Sequence, residues 1–285
     1  MMKQRIGVHI RLQSSLTQLI EKAQLLDLSF FQCFLVTQEM GKLITTTRHE
    51  EEHFLKIRRA YFKDLFCHGS YWINLASLGN NGYRSLCNEV ALAKRLEFTH
   101  FVLHPGTAKG AREKSQGIDA LAFCLNNMLK REKHIAFLLE NTCHSNLAIG
   151  SDILDFKYLL EKIDYPERIG FCIDTAHAHS YGYDIIDEQA QNDFIALLDN
   201  LIGIERIKLI HLNDSHEQMG SYKDRHAVIG EGKIGLRSLM SFALHPQLAH
   251  IPLLLELPDI PLEREQLVIE NLCKEYESSA LYMRR

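Results

Sequence analysis

Residues 100–140 read HFVLHPGTAKGAREKSQGIDALAFCLNNMLKREKHIAFLLE. A short apolar run, 100–104, ends in His104. A helical face follows, on which Ile118, Leu121, Ala122, Leu125, Met128 and Leu129 recur at helical spacing. A second apolar run, 135–140, ends in Glu140. Parallel strands need a crossover of this kind, so strand, helix, strand is the unit of a parallel sheet covered by helices.

The unit repeats in both directions along the chain. Strand-like runs lie at 5–10 (RIGVHI), 30–36 (FFQCFLV), 63–68 (KDLFCH), 170–174 (GFCID), 207–212 (IKLIHL) and 251–256 (IPLLLE). The run at 63–68 is the thinnest, since only Leu65, Phe66 and Cys67 are apolar. Leu16, Leu19, Ile20, Ala23 and Leu26 mark a helical face after the first run, and Phe194, Leu197, Leu198 and Leu201 mark one before the seventh. Eight strands alternating with helices predict an α/β fold of one (β/α)8 barrel, a single domain over 1–285. A doubly wound open sheet is the alternative, but no GxGxxG follows a strand, which weakens its dinucleotide-binding form.

A barrel places functional residues at the C-terminal ends of its strands. His68, His104, Glu140, Asp174 and Glu256 end their runs, and His211 sits near the end of the seventh. His177 follows Asp174 by three residues, and Asp224 and His226 lie in the long segment after the seventh strand. Each alone has a bland reading: a surface histidine, or a carboxylate capping the next helix. Together they bring several carboxylates to one barrel mouth, where they repel and resist burial. A divalent cation resolves that conflict, and imidazole with carboxylate suits zinc or manganese. Of the fifteen histidines, His9 is one more that could face this mouth.

Composition narrows the class. With 32 Lys and Arg against 36 Asp and Glu the net charge is −4, which excludes a uniformly basic surface but not a local patch. At 46% hydrophobic and 24% charged the chain is that of a globular protein. No apolar run reaches membrane-spanning length, and MMKQRIGVHI has no secretory pattern. Seven scattered cysteines without a CxxC pair fit reduced thiols, so a cytoplasmic location is expected. Nothing demands more than a monomer.

The segments HGSYWINLAS (68–77), HPG (104–106), LLENT (138–142), CIDTAHAHSYGYD (172–184), HLNDS (211–215), DRHAVIGEGKIG (224–235) and LLLELP (253–258), in this order, resemble the endonuclease IV family of apurinic/apyrimidinic endonucleases, from about residue 60 to 258. The resemblance implies a barrel with three Zn2+, with Mn2+ possible in one or more sites. His68, His104 and Glu140 would hold one ion. Glu140, Asp174, His211 and Glu256 would hold the second, with Glu140 bridging. His177, Asp224 and His226 would hold the third. Tyr71 matches a tyrosine near the DNA. The implied reaction is hydrolysis of the phosphodiester 5′ to an abasic site in double-stranded DNA, leaving a 3′-hydroxyl, with Glu140 orienting or deprotonating the attacking water. Three divalent ions would carry the charge from −4 to about +2, concentrated at the barrel mouth. Lys109, Arg112, Lys114, Lys223, Arg225 and Lys233 are candidate phosphate contacts.

The first quarter departs from the family. A serine and a glycine pair usually follow the first strand; here the text is HIRLQSSL (9–16). An asparagine, arginine and aromatic-rich segment usually follows the second; here it is LVTQEMGKL (35–43), where Gln38 and Met40 are candidate wedges into DNA and Glu39 would face phosphates badly. Two other functions fit the barrel. A sugar isomerase or epimerase of the same superfamily would use one or two metals and has no evident need of His177, Asp224 and His226. A non-catalytic binder of damaged DNA has no reason to keep a complete ligand set.

Overall fold

The computed structural model describes residues 5–12, 15–37, 41–79 and 81–282. Eight parallel strands close into a barrel in the order β1 (Ile6–His9), β2 (Phe31–Phe34), β3 (Phe66–His68), β4 (His100–Leu103), β5 (Ala136–Glu140), β6 (Ile169–Asp174), β7 (Ile207–His211) and β10 (Leu253–Leu255), with β10 pairing back onto β1. Helices α1 (Leu16–Leu25), α2 (Arg48–Tyr61), α3 (Asn81–Arg95), α4 (Lys114–Arg131), α5 (Leu154–Leu160), α7 (Glu188–Ile202), α8 (Leu236–Leu244) and α9 (Leu262–Tyr282) lie between or after the strands. A short helix, α6 (Thr175–Tyr181), follows β6 directly, and a small antiparallel pair, β8 (Asp214–Ser215) and β9 (His226–Ala227), follows β7. No helix among the described residues is long and apolar enough to cross a membrane.

Seven of the eight strands are shorter than the apolar runs that predict them, while β6 begins one residue earlier, at Ile169. The third begins at Phe66 rather than residue 63, because pairing with β2 starts at Gln32 opposite Phe66. The Leu65 carbonyl instead accepts the amides of Thr99 and His100 just before β4. The α1 and α4 faces are buried as the spacing predicts. On α7 the buried face runs through Phe194, Ile195, Leu198 and Ile202, while Leu197 and Leu201 are half-buried.

Two apolar layers result. The larger packs the outer faces of the strands against the helices. The smaller fills the barrel with Phe30, Phe66, Val102, Leu138, Cys172, Leu209 and Leu254. Strand side chains alternate faces, so the residue two positions further along each strand also points inward, one layer nearer the C-terminal mouth. Those residues are Gln32, His68, His104, Glu140, Asp174, His211 and Glu256. On β1 the same step leads from Gly7, where a Cβ would lie 2.4 Å from the Phe30 ring, to His9. Eight polar side chains thus form one ring on top of an apolar plug.

Candidate metal centre

Glu140 occupies the middle of this ring and is fully buried. Its Oε2 lies 3.0 Å from His68 Nε2 and 3.2 Å from His104 Nε2, and its Oε1 lies 2.9 Å from His211 Nδ1. Across the mouth, Asp174 ends β6 and also caps α6, accepting the His177 amide at 2.7 Å. That cap fixes the first turn of α6 and turns His177 towards the ring. Asp224 and His226 arrive on the loop and strand that return from β8 to β9. Asp224 lies 3.1 Å from both His177 Nε2 and His226 Nε2.

The ligand-type atoms fall into compact groups: His68, His104 and Glu140; Glu140, Asp174, His211 and Glu256; and Asp174, His177 and His226, each group with its atoms within 4.8 Å of one another. The first two are those the sequence resemblance implies. In the third, Asp174 joins His177 and His226, its Oδ2 3.7 Å from His226 Nε2, and Asp224 lies nearer still to both imidazoles, at 3.1 Å.

Hydrogen bonds select which nitrogen points inward on His68, His177 and His226. His68 Nδ1 is bonded to the Gly69 carbonyl at 2.8 Å, His177 Nδ1 to the Asn141 carbonyl at 2.9 Å and His226 Nδ1 to the Glu256 carbonyl at 3.3 Å. A carbonyl only accepts, so each Nδ1 carries a proton, and in the neutral imidazole that an ion binds each Nε2 presents its lone pair to the ring. His226 Nε2 is buried, and its contact with Asp224 Oδ1 at 3.1 Å lacks the geometry of a hydrogen bond. Neutral imidazoles anchored by their outer nitrogen and aimed at crowded carboxylates are what a divalent cation requires. The residues present therefore fit zinc or manganese.

The protein alone balances these charges with protons. Burial would raise the Glu140 carboxyl, but His211 and His104 hold it well below the usual range. Asp224 and Glu256 are likewise lowered, against burial, mainly by His177 and by His211 respectively. Burial would lower His226, but Asp224 and Asp174 push it up to about 9. His177 and His211 also stand well above the ordinary value, burial being overridden by Asp174 and Asp224 at His177 and by Cys172, then Glu256 and Glu140, at His211.

A family profile described as xylose isomerase-like TIM barrel matches residues 20–274. A sequence from Thermosipho melanesiensis named "Probable endonuclease 4" is 33% identical over 89% of this chain and 92% of its own length. One of the same name from Halothermothrix orenii is 31% identical over 95% and 99%. The chain belongs to the endonuclease IV family. The crystal structure of endonuclease IV from Thermus thermophilus superimposes with a TM-score of 0.83 at 26% identity, covering 97% of this chain and 100% of that one. A D-tagatose 3-epimerase-like protein superimposes with a TM-score of 0.76 at 19% identity, which shows the shared barrel alone. As a member of the endonuclease IV family the chain is a nuclease.

Around this ring, Tyr71 stands on the rim, 74% exposed, with its own ring 5.9 Å from that of His104. Arg225 is exposed and paired with Glu217 at 3.1 Å. Lys223 approaches the same carboxylate at 4.0 Å, and Lys114 is tied to Asp155 at 2.9 Å. Gln38 and Met40 lie outside the described residues. Sequence reading misses Gln32 and Asn213. Gln32 is fully buried in the ring, and Asn213 donates to Asp174 Oδ2 at 2.6 Å. One signal marks Gln32: it is the lone polar residue in the run FFQCFLV.

Proposed function

We propose that this chain is a DNA-repair endonuclease that hydrolyses the phosphodiester 5′ to an abasic site in double-stranded DNA and leaves a 3′-hydroxyl. The observation that supports this best is a single buried ring in which three ligand groups share Glu140 and Asp174. His68, His104 and Glu140 would hold one Zn2+, Glu140, Asp174, His211 and Glu256 a second, and His177, Asp224 and His226 a third with Asp174 beside it; Mn2+ suits the same donors. Bound ions of this kind supply a water nucleophile at neutral pH and neutralise the phosphate oxygens.

The remaining roles belong to the chain's own groups. Glu140 orients or deprotonates the attacking water from the middle of the ring. Tyr71 borders the substrate at the rim. A cavity of about 470 Å3 opens beside the ring between Arg11, Phe34, Trp72 and Leu257, and it is of a size to take a sugar turned out of the duplex. The enzyme would act as a cytoplasmic monomer built as one catalytic domain. An isomerase or epimerase has no use for the third group, and a mere binder has no use for a complete one.

The test is a nicking assay on a duplex with one abasic-site analogue, with an intact duplex as control. Zinc- or manganese-loaded protein is expected to cut only at the lesion, and Glu140→Gln to abolish cutting while remaining folded. Absence of cutting by folded, loaded protein would overturn the proposal, and full activity in Glu140→Gln would remove that residue's role.

A further inference from the structure

Among the histidines of the ring whose outer nitrogen is anchored, His211 is the exception in two ways. It turns Nδ1 inward, 2.9 Å from Glu140 Oε1, and its outward atom is Nε2. Its anchor is a side chain rather than a backbone carbonyl: Nε2 lies 3.1 Å from Gln32 Oε1. The three anchors of His68, His177 and His226 belong to the main chain and survive any substitution. The anchor of His211 does not.

The orientation of the Gln32 amide follows from its neighbours. Its Nε2 lies 2.8 Å from Glu256 Oε1 and 2.9 Å from His9 Nδ1. A carboxylate can only accept, so the amide nitrogen faces Glu256 and the amide oxygen must face His211. A flipped amide would set oxygen against carboxylate oxygen. With the amide fixed, Nε2 of His211 carries a proton, and in the neutral imidazole that an ion binds Nδ1 is left with a lone pair directed at the ring. The same amide holds Glu256 Oε1, which leaves Glu256 Oε2 turned towards His211 Nδ1 at 3.6 Å. One buried side chain therefore orients two of the four members of the group Glu140, Asp174, His211 and Glu256.

We propose that Gln32 is a positioning residue that sets the tautomer of His211 and the rotamer of Glu256, and thereby the affinity of the middle site for its ion. This rests on the reading that the ring holds divalent ions. Removal of an outer hydrogen-bond partner of a metal-binding histidine costs about 10–100-fold in metal affinity. The loss in Gln32→Leu is expected to fall on one ion, because the anchors of His68, His177 and His226 are untouched.

The experiment loads the full chain and Gln32→Leu with Zn2+ and titrates both with a competing chelator, counting ions retained per folded chain. Wild type is expected to release its ions late, and Gln32→Leu to release one ion about 10–100-fold more readily while keeping the others. Identical release curves overturn the proposal. Equal weakening of every ion also overturns it, since that is general loosening of the barrel. A second measurement needs no variant: long-range proton–nitrogen spectra of the zinc-loaded wild type should place the His211 proton on Nε2, and a proton on Nδ1 overturns the proposal even if Gln32→Leu fails to fold. Wild type that binds no ion would instead overturn the functional reading on which this rests.

Discussion

At the scale of single residues, what surrounds the charged groups decides more than the charged groups themselves. Asn213 shows this. Its Nδ2 donates to Asp174 Oδ2 at 2.6 Å, and its Oδ1 accepts the Glu256 amide at 2.8 Å. The side chain thus spans two carboxylate-bearing strands with one donor and one acceptor. Asn213→Asp keeps the shape and replaces the donor with a second acceptor facing Asp174. A hydrogen bond to a charged group contributes about 1.5–3 kcal/mol, and like charges at this distance add repulsion. Urea denaturation of chelated Asn213→Asp should show a loss of at least about 2 kcal/mol, while Asn213→Ser, which removes the donor without adding charge, should lose less. Equal losses in the two variants would show that repulsion plays no part. The roles of Asn213 and Gln32 are illegible in the sequence for one reason: an amide is not a ligand type, and its value lies in partners on other strands, 23 to 224 residues away.

At the scale of elements, the barrel strands are readable because burial on both faces makes them apolar runs. The ring at the mouth is readable because it interrupts those runs in a fixed layer. The segment between β7 and α8 is not readable in the same way, although DRHAVIGEGKIG stands out by composition. Its order comes from Asp214, whose buried carboxylate accepts amides from Ser215, Gly230, Gly232, Ile234 and Gly235 at 2.8–3.3 Å. No periodicity announces a loop wound round one carboxylate. The wrapping also explains a glycine: a Cβ on Gly232 would lie 2.3 Å from Asp214 Oδ1 and 2.6 Å from the Ser215 carbonyl. Ser215 pairs with His226 across β8 and β9, so a shift there moves a candidate ligand. Gly232→Ala is therefore expected to lower the thermal midpoint by several degrees, about 1–3 kcal/mol of overpacking. It should also weaken the ion beside His226 more than the ion beside His68. Gly220→Ala is the control: no atom lies within 4 Å of its Cβ position, although its positive φ adds a strain that Gly232 lacks. An unchanged midpoint and unchanged metal content in Gly232→Ala would mean that the loop yields without cost.

At the scale of the whole molecule, the ring couples folding to both protons and metal. In the chelated chain His226 titrates at about 9, against about 6.5 in an unfolded chain. A raised histidine contributes its full stability below the unfolded value and loses it as pH climbs to the folded one. His68, His177 and His211 are shifted in the same direction. The lowered carboxylates Glu140, Asp224 and Glu256 act at the other end, stabilising above the ordinary carboxylate range and losing that contribution as pH falls below it. The chelated chain should thus be most stable between about pH 4.5 and 6.5 and should weaken from 6.5 to 9, by up to about 3 kcal/mol from His226 alone. Metal reverses the slope over that window. An ion needs the imidazoles neutral, so its affinity rises as the protons leave, and an ion bound only by the folded state adds its binding energy to stability. Melting curves at pH 6.5 and 9, with chelator and with zinc, therefore make one connected test. The chelated midpoint should fall by several degrees, the zinc-loaded one should hold or rise, and the gap between them should widen. A chelated midpoint that stays flat over this window would mean that the histidines of the ring are not protonated in the empty centre. The carboxylates would then face one another uncompensated, and the charge balance argued for this barrel mouth would be wrong.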